Sequence, residues 1–497
     1  MRSKLKYILY TSLAAMTLVG CKKSEWLNPV PSRLITDETA FSSPERISNQ
    51  VNGLYANLKG TNLYGSWGVL LSDIRTGEFH SSNMNAANGA TVFSMLTQTT
   101  TADVENVWIA GYLAINKVNV FLAGLETKGK ALIAPEIYNQ YVAEARLIRA
   151  TAYYVLLQLY ARPYWDGNGA KPGLPLRLSP NLGPGNYDLA RSSVADTYKQ
   201  ILDDLTFAEG NLPENYSSAA LNTTRAHKNT AIALKSRVYL SMGNFNNVIE
   251  EANKLVSLTA PFIAPSGVKH KLAADIGEVF KAPYTSEESI FSMPFTSNDA
   301  PGLSLPRYYL PGIADGGTST SNGAGDYSLN QVEGIWASSL WEASDRRRVL
   351  FTKIGASTGR PWLFKYYQAS PHLDYVPVIR YSEVMLNLAE ALARKSQSID
   401  SRSLALFNAV YARSNPGKSF QSGDFASLQA YLDRMIEERR IEFLGEGIRN
   451  GDIMRLGLTI PSKVKQAIPQ VLPTEPNYIF PIPSSELLLN NLMENNK

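Results

Sequence analysis

Side chains able to break bonds are sparse and poorly spaced in this chain. Paired carboxylates occur at Asp203-Asp204, Glu250-Glu251 and Glu437-Glu438. Cleaving a glycosidic bond, for comparison, takes two carboxyl groups facing each other roughly 5 to 9 Å apart. Each pair falls in a stretch of helical periodicity, where adjacent side chains point about 100° apart, so the pairs read as solvated helix faces. The histidines His80, His227, His270 and His372 have neither metal-ligand spacing nor a serine-nucleophile motif around them. The glycines between Gly316 and Gly325 lack the following helix and lysine of a phosphate-cradling loop. No catalytic constellation, metal site or cofactor is expected.

One residue does carry a chemical expectation. Cys21 is the only cysteine in 497 residues, which excludes both a disulfide framework within the chain and a thiolate zinc site. It follows Leu18-Val19-Gly20, and before those come Arg2, Lys4, Lys6 and an apolar run from Tyr7 to Gly20. That is the layout of a secretory signal, and the run is shorter than the about 20 residues needed to cross a bilayer. Small residues before a cysteine suit a lipoprotein signal peptidase, which leaves the lipid-bearing thiol at the new N-terminus. Residues 1–20 are therefore expected to be a signal peptide and Cys21 the lipid attachment point. Each acyl CH₂ buried in the membrane contributes about 0.8 kcal/mol. The leader's cations account for most of the excess of 48 Lys plus Arg over 44 Asp plus Glu. The apparent basicity thus reports targeting, and no dense basic stretch interleaved with aromatics points to nucleic acid.

The elements that must position any site are mostly helical. Residues 21–36, with Pro29 and Pro31, read as a tether. In residues 135–160, Ile137, Tyr141, Ala145, Ile148, Ala152, Val155 and Leu159 step by threes and fours, building one apolar face, and Pro135 suits a first helical turn. Between Arg225 and Val256, Ala231, Leu234, Val238 and Met242 precede Gly243-Asn244 and a second helix, a hairpin with glycine as its stop. Comparable pairs fall in residues 101–160, 193–243 and 381–447, the last with Tyr381, Met385, Leu388 and Leu392 in register. The fold class expected is all-α dominated, with about four tetratricopeptide-like helical hairpins in residues 37–258 and 377–497. Between them, residues 259–376 turn to proline, glycine, serine and aromatics and read as an inserted loop-rich subdomain, with a short strand in 288–295. Trp108, Trp336 and Trp341 fall in helical patterns and are expected in the core. Arg440 shares a helical face with Ile436 and Phe443; a guanidinium placed there requires a carboxylate, with Asp452 and Glu442 as candidates.

Five segments, residues 141–176, 194–213, 374–394, 435–457 and 478–490, occur in an order and spacing that resemble the SusD/RagB family. Among them are YVAEARLIRATAYYVLLQLYARPYWDG, DYVPVIRYSEVMLNLAEALAR and MIEERRIEFLGEGIRNGDIMRLG. The resemblance implies a glycan-binding lipoprotein that is not an enzyme and sits as a lid on a SusC-like TonB-dependent outer-membrane transporter. An oligopeptide-binding lid and a non-binding scaffold of the same complex are the alternatives. It also implies that the loops after the first helix and the insert form the ligand surface. Sugar recognition needs several rings on one surface, because one ring contributes only about 1 to 2 kcal/mol at about 25 cal/mol per Å². The candidates are Tyr64 and Trp67 with His80, Asn83 and Asn85, and Arg307, Tyr308 and Tyr309 with Tyr327. The alternative for each ring is ordinary packing. Family members carry acidic residues soon after the lipidated cysteine, where this chain has Lys22-Lys23-Ser24-Glu25. Outward-facing display at the outer membrane therefore follows from the family's role.

Overall fold

Capping and periodicity set the helices of the computed structural model, which describes residues 39–496; the leader, Cys21 and the tether lie outside the described residues. Helix α1 (Pro44–Leu58) starts at Ser43, whose side chain accepts the Arg46 N–H at 3.3 Å. After it come α2 (Trp67–Ile74), α3 (Ala102–Gly124), α4 (Pro135–Tyr160) and α5 (Val194–Asn211). Pro135 occupies the first turn of α4, which buries Leu147, Ile148, Ala152, Leu156 and Leu159, while Ile137 stays exposed at its outer end. Helix α6 (Lys228–Ser241) turns into α7 (Phe245–Asn253) through Gly243, whose φ of +69° is the left-handed conformation that favours glycine.

The loop-rich stretch holds two short helices, α8 (Leu305–Tyr309) and α9 (Arg346–Phe351). The chain then returns to α10 (Tyr381–Ser396), α11 (Ser401–Ser414), α12 (Leu428–Glu442) and α13 (Ile448–Leu456). Helices α3, α4, α5, α6, α7, α10 and α11 pack each on the next in one continuous row, with α1 across α3 and α4. In such a row each helix is buried by its neighbours, so the platform grows by nearest-neighbour contacts. Among the described residues one helical stretch, Ala102–Leu132, is long and apolar enough to cross a bilayer. Val104, Val107, Trp108, Ile115, Val118 and Phe121 are buried in the core, which makes it a central helix of the row.

Two antiparallel ladders tie the irregular part to the rest of the chain, and a third lies within it. Strand β2 (Ser289–Met293), inside the expected 288–295, pairs with β6 (Val376–Arg380) and closes the base of the loop-rich stretch. Strand β1 (Phe79–Ser81) pairs with β3 (Tyr327–Leu329), joining the loop after α2 to residues some 250 positions later, as in Phe79 against Leu329. Strand β4 (Thr352–Ile354) pairs with β5 (Pro361–Leu363), which lies beside β3.

Beneath the ladders lies a buried ion network. Glu442 receives Arg413 at 2.6 Å and Arg347 and Arg380 at 3.0 Å each. Arg347 also meets Glu438 at 2.5 Å and Asp345 at 2.6 Å. Arg380 meets Glu446 at 2.8 Å and also Glu288, a carboxylate shared with Arg413. Burial alone would raise the Glu442 pKa, yet Arg413, Arg380 and Arg347 hold it well below the ordinary range. The carboxylate expected for Arg440 is corrected here. Arg440 pairs with Glu78 and Glu437, both at 2.7 Å, while Asp452 receives Arg439. The partner sits 362 residues away in the loop before β1, beyond the reach of sequence spacing. Trp108 and Trp341 are buried as expected, whereas Trp336 is half-buried and neither Trp336 nor Trp341 lies in an α-helix.

Replacing Glu442 by glutamine leaves three guanidinium groups facing a neutral amide. Breaking a buried pair of this kind costs about 3 to 5 kcal/mol, so the urea midpoint of Glu442→Gln should fall by that equivalent. A second expectation concerns acid. His227 and His270 stack with ring centroids 5.3 Å apart, and burial pushes them down to about 3 and about 4 from an ordinary 6.5. Between roughly pH 6.5 and 4 the unfolded chain binds protons that the folded chain refuses, so stability falls as pH falls. The slope is on the order of 1 kcal/mol per pH unit for each ring, and urea unfolding from pH 7 to 4.5 should decline less steeply in a His227→Gln, His270→Gln variant.

Candidate functional site

The loops that the ladders bring together form a cap over one side of the helical row. The aromatic residues expected to face ligand lie beneath this cap. All eight residues of α2 are buried, Trp67 included at 7% exposure, and the Trp67 ring meets Tyr308 edge-on at 5.5 Å. Tyr309 stacks on Phe79 at 4.9 Å and donates its hydroxyl to Asp73 at 2.9 Å. Tyr327 packs against Phe93 at 5.7 Å and donates to the Asn88 carbonyl. Tyr64 lines a small cavity of about 80 Å³ among α2, α4, α6 and α13, whose charges are satisfied internally, as in Arg237 with Glu383 at 2.6 Å. The expectation of an exposed ring cluster is therefore corrected: these rings anchor the cap from below. The glycines around Trp67 serve close packing. A Cβ on Gly65 would sit 2.3 Å from the Lys59 carbonyl oxygen.

The polar candidates lie nearer the surface. Asn83 and Asn85 are exposed, and His80 and Arg307 are half-buried. Asn85 has a local role, its side chain accepting the Ala87 N–H at 2.8 Å to cap the short turn Ala86–Asn88. Asn83 converges with Arg307 on Asp326, which sequence spacing gave no reason to choose. The backbone explains the meeting: Ser82 N–H donates to the Asp326 carbonyl at 2.7 Å, and Ala324 N–H donates to the Arg307 carbonyl at 2.7 Å. One Asp326 oxygen accepts from Asn88 at 3.1 Å, and burial raises its carboxyl above the usual value. Burial likewise pushes Asp103, at the start of α3 and electrostatically coupled to Tyr308 and Tyr327, up to about 6.

Around Asp326 several polar atoms are buried with no hydrogen-bond partner among the described residues. They are Arg307 Nε, Asp326 Oδ2, Ser82 Oγ and Ser328 Oγ, the last from the residue opposite His80 in the β1–β3 ladder. Unpaired donors and acceptors cost about 1 to 3 kcal/mol each, and atoms in the same state occur elsewhere among the described residues, at Arg75, Arg434 and Arg449. In the same loop-rich stretch Thr318, Thr320 and Ser321 border an open cleft of about 610 Å³, tied to the following segment by the Ala369 N–H to Thr320 carbonyl bond at 2.9 Å. Phe280, Phe351, Phe364 and Tyr367 line this cleft with Lys281 and Lys353. Tyr367 is half-buried and offers part of its ring. These rings escaped sequence reasoning because nothing in their local pattern separates them from core aromatics. Among the described residues no group of three or more His, Cys, Asp or Glu side chains is placed to hold a metal ion.

Comparison with known proteins places this architecture. A family model described as starch-binding associating with outer membrane matches residues 25–240, and one described as SusD family matches residues 365–497. A curated relative, SusD-like protein P2 of Formosa agariphila, is 26% identical and aligns over 99% of each chain. The crystal structure of a SusD superfamily protein from Bacteroides fragilis superposes with a TM-score of 0.80 at 33% identity, covering 91% of this chain and 99% of that one. A laminarin-binding SusD-like protein shares the fold at a TM-score of 0.71 and 20% identity, covering 91% and 99%. Matched by family models in both halves and by a solved member along nearly its whole described body, the chain belongs to the SusD family.

Proposed function

We propose that this protein captures glycans at the cap and delivers them to a TonB-dependent transporter of the outer membrane, held there by lipid on Cys21. The observation that carries the binding site is the open cleft lined by Phe280, Phe351, Phe364 and Tyr367 in the loop-rich stretch, which also holds the convergence of Arg307 and Asn83 on Asp326. The exposed Asn83 and the half-buried Arg307 and His80 offer hydrogen-bonding groups to sugar hydroxyls at the surface of the cap. A partly exposed ring such as Tyr367 then buries the C–H face of a pyranose, contributing about 1 to 2 kcal/mol. Family membership supports the ligand class, and the printed name of one structural neighbour specifies laminarin for that protein.

The reading is of a binder without bond-breaking chemistry. Of the adjacent carboxylate pairs, Asp204 is held by Arg149 at 2.7 Å, Glu251 by Lys235 at 2.8 Å and Glu438 by Arg347 at 2.5 Å. A carboxylate committed to a buried ion pair of this kind belongs to the packing of the platform. The row of helices gives the transporter a stiff lid, and modest affinity suits a ligand that must be passed on.

Affinity electrophoresis of the detergent-solubilised full chain through gels containing different glycans tests the capture step. At least one glycan should slow migration, and Asp326→Asn with Tyr367→Ala should weaken that retardation about tenfold, the equivalent of 1.4 kcal/mol. A chain that ignores glycans but binds a peptide mixture, or only co-purifies with a barrel protein, would replace this reading. For the anchor, Cys21→Ala should abolish incorporation of labelled palmitate and move the protein from the membrane to the soluble fraction.

A further inference from the structure

We infer that Asp315 is a positioning residue for glycan capture, a clamp that holds the two loop walls of the aromatic cleft together without itself lining the cleft. The inference rests on the glycan reading above and deepens it by naming what sets the shape of that site.

The cleft lies between two pieces of chain that are not part of the helical row. One wall carries Thr318, Thr320 and Ser321; the other is the β4–β5 hairpin and the residues just after it, which supply Lys353 and Phe364. The first wall is irregular and the second is a two-stranded ribbon of three residues per strand. Such a ribbon has little stiffness of its own, so contacts between the walls must fix their separation.

Asp315 makes those contacts. It ends the turn Ile313–Asp315 and is 8% exposed. Its Oδ1 accepts the Ser357 N–H at 3.0 Å, the Thr358 N–H at 2.9 Å and the Ser357 hydroxyl at 3.0 Å. Its Oδ2 accepts the Trp362 indole N–H at 2.7 Å and the Thr358 hydroxyl. All of these donors lie in the hairpin, and hydrogen bonds to a carboxylate are roughly twice as strong as neutral ones. Burial works to raise the Asp315 pKa, yet the Thr358, Trp362 and Ser357 donors hold it well below the usual carboxylate range, so the acceptor stays ionised.

Both walls are coupled to this carboxylate. Only Gly316 and Gly317 separate Asp315 from Thr318, and Thr318 and Ser321 exchange backbone hydrogen bonds at 2.8 and 3.2 Å, so the first wall moves with Asp315. On the other side the Trp362 ring packs with Leu310 and Phe364, and Phe364 also lines the cleft. The hairpin is cut to fit the clamp as well: a Cβ on Gly355 would sit 2.3 Å from Asp315 Oδ2. Asp315, Ser357, Thr358 and Trp362 are not among the residues lining the cleft, so they act on a ligand only through the walls. Walls left free would have to be ordered on binding, and a clamp that orders them beforehand raises affinity without adding a contact.

The test is affinity electrophoresis and calorimetry of the detergent-solubilised full chain with laminarin, pullulan and arabinoxylan. A Ser357→Ala, Thr358→Val variant removes two hydroxyls at exposed positions outside the cleft, and it should weaken binding of whichever glycan the unaltered chain retains by about fivefold, as expected for lost preorganisation. Asp315→Asn should weaken it at least as much, whereas Thr358→Ser, which keeps the hydroxyl, should bind as the unaltered chain does. Asp400→Asn removes the carboxylate that accepts the Ser403 N–H at 2.8 Å at the start of α11; it should lower the urea midpoint and leave affinity unchanged. The double variant decides the matter if Asp315→Asn fails to fold. Unaltered affinity in the double variant, or an equal loss in Asp400→Asn, overturns the positioning role and leaves glycan capture standing. Retention of none of the three glycans by the unaltered chain overturns both.

Discussion

Glu442 is the point on which the rest of the structure leans. Its carboxylate receives arginines from three separate parts of the chain: Arg347 in α9 of the loop-rich stretch, Arg380 at the end of β6 and Arg413 in α11. Charges this deeply buried are tolerated only when every partner is in place, because the desolvation cost of each ion is offset by the others. The network therefore acts as a register device. Unless the loop-rich stretch docks on the C-terminal helices in one orientation, at least one of these ions is left without its counter-charge.

That docking explains how a loop-rich cap can present a defined surface. Irregular backbone has little rigidity of its own, but here β2 and β6 close its base, β1 and β3 tie it to the loop after α2, and Lys365 meets Glu446 at 2.8 Å within the same ion network. Trp67, Tyr308, Tyr309 and Tyr327 fill the space between cap and helices. Their area holds the loops down, and the polar atoms around Asp326 are positioned as a consequence. Large rings beneath and polar side chains above is the arrangement expected where binding requires preorganised hydrogen-bond geometry.

The electrostatics follow the same division. Within the helical row, charge is balanced pair by pair, which favours a unique packing. In the cap Arg307, Arg360 and Lys465 make no ion pair among the described residues, and neither do Asp315 and Glu333, which accept from Thr358 N–H and Val464 N–H, while the buried Arg75 and Lys463 bond backbone carbonyls. Charge is thus paired ion by ion in the platform, whereas the cap holds several of its charged groups through hydrogen bonds to neutral partners.

How much of this was written in the sequence differs by level. The helical row was legible because periodicity is local: the apolar stepping through 135–160, the Gly243 stop and the pattern after Tyr381 each specify a helix from its own residues. The ordered motifs in both halves of the chain were enough to indicate the family. Arg440 was recognisable as needing an acid, but Glu78 lies 362 residues away and had no local mark. Trp67 and Tyr308 were visible as candidates, yet composition cannot say which side of a ring meets solvent, and packing placed both inside. Asp326 meets Arg307 and Asn83 only because two strands from distant segments pair. Local side-chain spacing therefore determined the elements, and the long-range ladder and buried charges decided where they face.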